Sequence, residues 1–392
     1  MHTRLWTRNF TLLTFSNFLM CSAYYSLIST LPVYISSELH AAKSIVGLVM
    51  ASYLVSSVII RPFCGYSLDR FGRKTIFIAG LILYALVFNT YLLAWTIPAM
   101  ILVRFTHGLT WGVTTTSNST VAIDIIPFEK RGQGIGYFGI STTLGMVMGP
   151  VIGSYVFQFG GYSTMFLAGF GLGLISALLA AFVKYPRFSP SQLSQPFGMK
   201  QLFEPRSILL SLNLFIIMIT YGGLLSFIAL YGKEIGIHHA AGFFLVYAIG
   251  IISARFSSGK VFDKNGPKKI LVPCLLMLVL GFPVLALVRN PIGFYGAAII
   301  LGFGNGVVFP TFQAMTNNMV SQNRRGAANS TLFTAVDLGM GIGMIIVGGI
   351  SQQFSISAAF MTCSVIAALA LAFFLAWSAA HYRKYMGKAE AM

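Results

Sequence analysis

One acid lies deep inside an apolar stretch of this chain: Asp337, in Thr334-Ala-Val-Asp337-Leu-Gly339-Met-Gly341-Ile-Gly343. It sits about ten residues from the nearer end of that stretch, roughly 15 Å of helix. A carboxyl group at that depth is suited to taking up and releasing protons. A structural Asp accepting from a neighbouring Ser or Thr is the other reading. A second group is Arg104-Phe-Thr-His107-Gly108-Leu-Thr-Trp111-Gly112. Arg104 lies about 9 Å from the end of its apolar stretch, where a charge needs a partner or water. An Arg snorkelling to the interface is the competing reading. His107 is either a neutral, hydrogen-bonded structural residue or a titrating one, and both stay open. Asp337, Arg104 and His107 form the expected proton-coupling set.

Other chemistry is not supported. There is no nucleophile–base arrangement, no His-Glu-x-x-His cluster and no phosphate loop, so neither an enzyme nor a bound cofactor is expected. Cys21, Cys64, Cys274 and Cys363 lie in or beside apolar stretches without metal-ligand spacing, and they read as small packing residues.

The elements that carry these residues must be membrane spans. Apolar types make up 56% of the 392 residues and charged types only 9%, too few to build the surface of a soluble domain, which carries about 25% charge. Apolar stretches predict spans at 10–35, 44–66, 75–95, 98–121, 133–157 and 162–184. A second set falls at 207–231, 240–261, 270–288, 292–316, 327–350 and 356–380. Each can cross the hydrocarbon as a helix of about 20 residues. The first is too long for a signal-peptide core and no small-residue cleavage site follows it, so it reads as a mature span. The polar, proline-rich segment 185–206 reads as a linker between a first half, 1–184, and a second half, 207–392.

The net charge of +17 would suit nucleic acid, but its distribution does not. With the N-terminus inside, the outer loops hold only Lys43, Lys233 and Arg289, and Arg61, Arg104 and Arg255 lie within spans. All other basic residues fall in the inner segments. This bias places both termini in the cytoplasm.

The halves are related. A shift of 194 residues maps Arg61, Gly65, Asp69 and Gly72 onto Arg255, Gly259, Asp263 and Gly266. It also maps Gly108 and Gly112 onto Gly302 and Gly306, Arg131 and Gly132 onto Arg325 and Gly326, and Gly145 and Gly149 onto Gly339 and Gly343. Six spans per half is even, so the repeat is parallel, about an axis along the membrane normal.

The loop Gly65-Tyr-Ser-Leu-Asp69-Arg70-Phe-Gly72-Arg73-Lys74 resembles the signature loop of the major facilitator superfamily. It recurs more weakly as Gly259-Lys-Val-Phe-Asp263-Lys264-Asn-Gly266-Pro-Lys268-Lys269. Gly65 permits close helix approach and Gly72 a tight turn. Asp69 can accept from the N-terminus of a neighbouring helix and pair with Arg. The resemblance implies that this neighbour is the eleventh span, near Ala327, and that the contact is a cytoplasmic gate. Gly65, Asp69, Arg70, Gly72, Arg73 and Asp263 belong to it. Asp124 and Glu129, beside Lys130 and Arg131, read as gate-pairing residues.

The Arg104 segment resembles the family's fourth-helix motif, Arg-x-x-Gln-Gly, with His107 in place of Gln. Gly145-Met-Val-Met-Gly149-Pro150-Val-Ile-Gly153 resembles the Gly-Pro motif of antiporters in this superfamily. Pro150 becomes Met344 and Gly153 becomes Val347 in the second half, as the resemblance implies for a first-half motif. Ser154 stands where a second glycine is common. Many drug exporters of this type carry an acid in the first span, and here that span has none.

In this fold the first, fourth, seventh and tenth helices line a central cavity. Asn17, Tyr24, Tyr25, Tyr221, Asn305 and Gln313 are the candidate cavity residues, with helix packing the alternative role for each. The expectation is an all-α integral membrane protein of the major facilitator fold, with twelve transmembrane helices in two pseudo-symmetric six-helix bundles. The expected function is proton-coupled efflux of small organic molecules by alternating access. The alternative is a proton-linked uptake symporter or facilitator for a small polar or anionic solute. The expected setting is a bacterial inner membrane and the expected state a monomer. Its partners would be a small-molecule substrate, protons and lipid, with no nucleic acid.

Overall fold

The computed structural model describes residues 4–41, 43–185, 202–237 and 242–389. Most of the expected linker lies outside the described residues. Every regular element among them is helical. The long helices are α1 (Arg8–Ser37), α2 (Lys43–Phe71), α3 (Arg73–Thr90), α4 (Ile97–Ile125) and a run over Arg131–Ala181. That run breaks at Gly160 and Gly161, whose backbones leave the helical region, giving α5 (131–159) and α6 (162–181). Then follow α7 (Pro205–Glu234), α8 (Gly242–Asn265), α9 (Lys268–Leu287), α10 (Pro291–Asn318), α11 (Arg325–Gln353) and α12 (Ile356–Phe373). A five-residue π turn, Phe374–Ser378, joins α12 to α13 (Ala379–Ala389). Twelve long helices are thus present among the described residues, as the apolar stretches predict.

Local sequence sets the ends. Thr96 Oγ1 accepts from Ala99 N at the start of α4, Asn290 Oδ1 from Gly293 N at the start of α10, and Ser355 Oγ from Ala358 N at the start of α12. Each is an N-cap that satisfies an otherwise orphaned backbone donor. The α2–α3 and α8–α9 connections turn sharply at Gly72 (φ 89°) and Gly266 (φ 77°). These are left-handed conformations that glycine adopts without a Cβ penalty.

Ten stretches among the described residues are long and apolar enough to cross a membrane, and α4 is not one of them. It carries Arg104, His107, a run of threonines and Asn118. Its hydroxyls turn inward on the helix: Thr110 donates to His107 O, Thr114 to Thr110 O, and Thr115 to Trp111 O. Such back-bonding satisfies polar groups within the helix itself.

Two contact-defined units divide the chain. Unit 1 comprises the described residues within Met1–Pro127, Ile140–Phe203 and Gln322–Ser330. There α4 packs on α2 and α3. A Cβ on Gly108 would collide with the Tyr53 carbonyl, so the two backbones meet at that glycine. Gly145, Gly149 and Gly153 of α5 press in the same way on α1 between Cys21 and Ser26. Unit 2 comprises the described residues within Phe128–Gly139, Glu204–Ser321 and Thr331–Met392. There α10 packs on α8 and α9, and α12 on α9 and α7. Gly302 meets the Tyr247 carbonyl, the repeat counterpart of Gly108 on Tyr53. Gly339 and Gly343 meet the Phe215 and Ile219 carbonyls of α7. The first turns of α11 are counted with unit 1, and those of α5 with unit 2.

Candidate functional site

Asp69 lies in the last turn of α2 and is only 2% exposed. Its Oδ1 accepts from Gly326 N at 2.9 Å and its Oδ2 from Ala327 N at 2.8 Å. The carboxylate therefore caps the first turn of α11, where unpaired N–H groups and the helix dipole favour negative charge. Arg73 Nη2 lies 3.1 Å from Asp69 Oδ1. Arg73 also contacts Asp124 Oδ2 at 3.0 Å and donates to the Leu68 and Gln322 carbonyls. Arg325, the first residue of α11, reaches Asp124 Oδ1 at 2.5 Å. Two buried carboxylates and two arginines so form one continuous charged network. Gly65 makes room for it: a Cβ there would lie 2.5 Å from Ser330 Cβ and 2.7 Å from Gly326 O. Arg70, expected in the same gate, instead donates to the Tyr66 hydroxyl one turn back. Glu129 is exposed and makes no ion pair among the described residues.

The repeat-related turn has the same geometry with less charge. Asp263 Oδ1 accepts from Gly132 N at 2.8 Å and its Oδ2 from Gln133 N at 3.0 Å, capping the start of α5. A Cβ on Gly259 would collide with the Gln133 Cα, the counterpart of Gly65 on α11. Arg131 Nη1 donates to Asn318 Oδ1 at 2.6 Å, and the shift of 194 maps this pair onto Arg325 and Asp124. Pro267 stands where the first half has Arg73, and Asn318 where it has Asp124. Asp263 itself is exposed.

Within unit 1, Arg104 is buried with its Cζ 4.4 Å from the ring centroid of Tyr53. His107 Nδ1 and the Tyr91 hydroxyl are 3.0 Å apart. Tyr24 stacks on Trp111 at 4.1 Å and on Tyr53 at 5.0 Å between centroids. Asn17 donates to Ser141 Oγ and Thr142 Oγ1 and accepts from Asn118 Nδ2, tying α1, α4 and α5 together. Tyr25 lies against Gly149 on α5. Within unit 2, Asp337 is 8% exposed on α11. Tyr221 and Tyr247 stack at 6.4 Å, with Asn305 and Gln313 buried on α10. Pro150 sits inside α5 without ending it.

Tyr53, Tyr84 and Tyr91, which gather around Arg104 and His107, were not among the expected site residues. One signal was available: the shift that aligns the glycines also aligns Tyr53 with Tyr247.

Comparison with known proteins decides the family. The family model described as Major Facilitator Superfamily matches residues 13–310 and again 244–391. The chain belongs to the Major Facilitator Superfamily. Curated members similar to it include the staphylopine export protein of Staphylococcus aureus, 23% identical over 343 residues, covering 84% of this chain and 86% of that protein. Multidrug resistance protein MdtG of Citrobacter koseri is 26% identical over 379 residues, covering 92% and 93%. Among solved structures of major facilitators, the human organic anion transporter MFSD10 superposes with a TM-score of 0.83 at 16% identity, covering 93% of this chain and 98% of that one. The Escherichia coli fucose:proton symporter FucP superposes at 0.80 and 17% identity, covering 94% and 98%. The chain is therefore a multi-pass membrane transporter with the twelve-helix, two-domain fold of this superfamily.

Proposed function

We propose that this major facilitator exports small organic molecules in exchange for protons, by alternating access. The observation that carries the reading is the pair of carboxylate caps. Asp69 at the end of α2 holds the start of α11, and Asp263 at the end of α8 holds the start of α5. Each tie consists of a few charge-assisted hydrogen bonds onto a helix N-terminus, strong enough to hold a closed state and small enough to break in a transport cycle. In this reading the caps close the cytoplasmic side. Residues 1–184 and 207–392 are the two bundles, 185–206 joins them, and both termini lie in the cytoplasm of a bacterial cell whose inner membrane holds the protein as a monomer.

Export is favoured over uptake by Gly149-Pro150 on α5, packed on α1 at Ser22 and Tyr25, and by the export and multidrug-resistance names of similar proteins. Asp337, with Arg104 and His107, supplies the proton-coupling set, since it is the acid on a helix that otherwise carries none between Gly326 and Gln353.

The test is flux in proteoliposomes with an imposed pH gradient and a panel of small organic compounds. The expected result is a compound that accumulates against its own gradient, moves opposite to the protons, and reverses when the pH gradient is reversed. Movement in the same direction as the protons would replace export by symport. Flux that ignores the gradient would leave a facilitator.

A further inference from the structure

Arg104 is 1% exposed, and its Nε and Nη1 find no hydrogen-bond acceptor among the described residues. No Asp or Glu among them forms an ion pair with it. Tyr53 lies under the guanidinium at 4.4 Å and the Tyr91 hydroxyl is hydrogen-bonded to it; both offset part of the buried charge but give Nε and Nη1 nothing to donate to. His107 stands one turn further along α4, on the same face. Its Nδ1 is engaged by the Tyr91 hydroxyl and its Nε2 is also buried without a partner. With Nδ1 accepting the Tyr91 proton, Nε2 carries the imidazole hydrogen and becomes a further donor. The surroundings are aromatic: Tyr84 and Phe88 flank His107 at 5.0 and 4.8 Å, and Tyr24 stacks on Trp111.

Unsatisfied donors of this kind are costly in a low-dielectric interior, and a structural role does not explain them. In the second half the shift of 194 puts Ala298 and Leu301 at the two positions, so helix packing in this fold does not require either donor.

We propose that Arg104 and His107 form a subsite for the carboxylate of an aryl-bearing organic monoanion, with the Tyr24, Tyr53 and Trp111 rings taking the aryl part. The planar guanidinium fork matches a carboxylate bidentately. A monoanion brings the box to neutrality, whereas a dianion would leave an unmatched negative charge buried among rings. This rests on the transport reading and names the class of cargo for the same protein.

The test is equilibrium binding to the purified full-length protein in lipid nanodiscs at pH 7.5. The probes are indole-3-acetate, 1-naphthoate and benzoate, each paired with its primary amide. At least one acid should bind about tenfold or more tightly than its amide, as expected for a charge-assisted pair. Arg104→Gln should bring that acid to the level of its amide and leave the amide unchanged, and His107→Gln should give a smaller loss. Arg104→Met should melt at the same temperature as the natural protein or higher, because it removes a buried, unmatched charge. Equal binding of every acid and its amide would overturn the proposal, as would an acid preference that survives Arg104→Gln. A sharp fall in melting temperature for Arg104→Met would make the residue a structural cation and would also overturn it. No gradient is applied here, so an acid-selective site in a protein that fails to export would remove only the export reading. Gradient-driven export without acid selectivity would remove only the carboxylate subsite.

Discussion

At the α2–α3 turn Asp69 caps α11 from a buried position, flanked by Arg73 and linked through it to Asp124 and Arg325. At the α8–α9 turn Asp263 caps α5 with the same two backbone bonds, but from an exposed position, with Pro267 in place of Arg73 and Asn318 in place of Asp124. Backbone geometry is shared down to the left-handed glycine of each turn and the 3-10 turns at Phe128–Lys130 and Gln322–Arg324 that precede the capped helices. Charge is not shared. The repeat has kept the parts that let helices meet and turn, and has concentrated the electrostatics in one junction. The same holds further inside: Arg104 and His107 correspond to Ala298 and Leu301, and Asp337 corresponds to Thr143.

The largest expected effect comes from neutralising the first cap. Asp69→Asn should weaken its junction by about 3 kcal/mol, the scale for breaking a buried, hydrogen-bonded ion pair. Transport should fall while expression stays normal, and alkylation of Cys64, buried on α2 just before the turn, should speed up. Asp263→Asn should change its junction by only about 0.5 kcal/mol, the scale of an exposed charge at a helix end. Equal effects of the two variants on transport would mean the extra charges at the first junction do nothing.

Steric changes should be less one-sided. A methyl group on Gly65 meets Gly326 O and Ser330, and one on Gly259 meets the backbone of Gln133. Either Gly→Ala change should cost about 1–3 kcal/mol, read as a lower melting temperature in detergent. A tolerated Gly65→Ala would show that α2 and α11 do not need this approach. A small effect in the opposite direction comes from making the second junction more like the first. Asn318→Asp would turn the Arg131–Asn318 hydrogen bond into an ion pair and should stabilise it by about 1 kcal/mol. A lower melting temperature for this variant would contradict the equivalence of the two arginines.

Much of the frame was legible in the sequence because it rests on periodic, additive signals. Twelve apolar stretches, the shift of 194 and the two Asp-containing loops each follow from membrane thickness or from duplication. The partner of Asp69 was legible only through the family resemblance, since nothing in local spacing says which helix start a loop carboxylate will reach. Arg70 illustrates the limit: it sits in the same loop as Asp69, yet its side chain turns back to the Tyr66 hydroxyl one turn earlier on α2. The rings around Arg104 were not legible because they come from α1, α2, α3 and the turn after it. Tyr24, Tyr53, Tyr84 and Tyr91 converge only once those helices pack. Asn17 likewise looked like a cavity residue from its depth, while its donors are spent on Ser141 and Thr142 across the α1–α5 contact.

In the proposed exchange cycle protons move against cargo, and Asp337, whose counterpart in the first half is Thr143, couples the two. The most direct measurement is simultaneous recording of proton and cargo flux in proteoliposomes holding either the natural protein or Asp337→Asn. For the natural protein, adding cargo should drive protons the opposite way, and a pH gradient should drive cargo uphill. Asp337→Asn, which fixes the neutral form, should keep cargo binding and downhill exchange while losing both coupled movements. An Asp337→Asn protein that moves protons and concentrates cargo as the natural protein does would contradict the account.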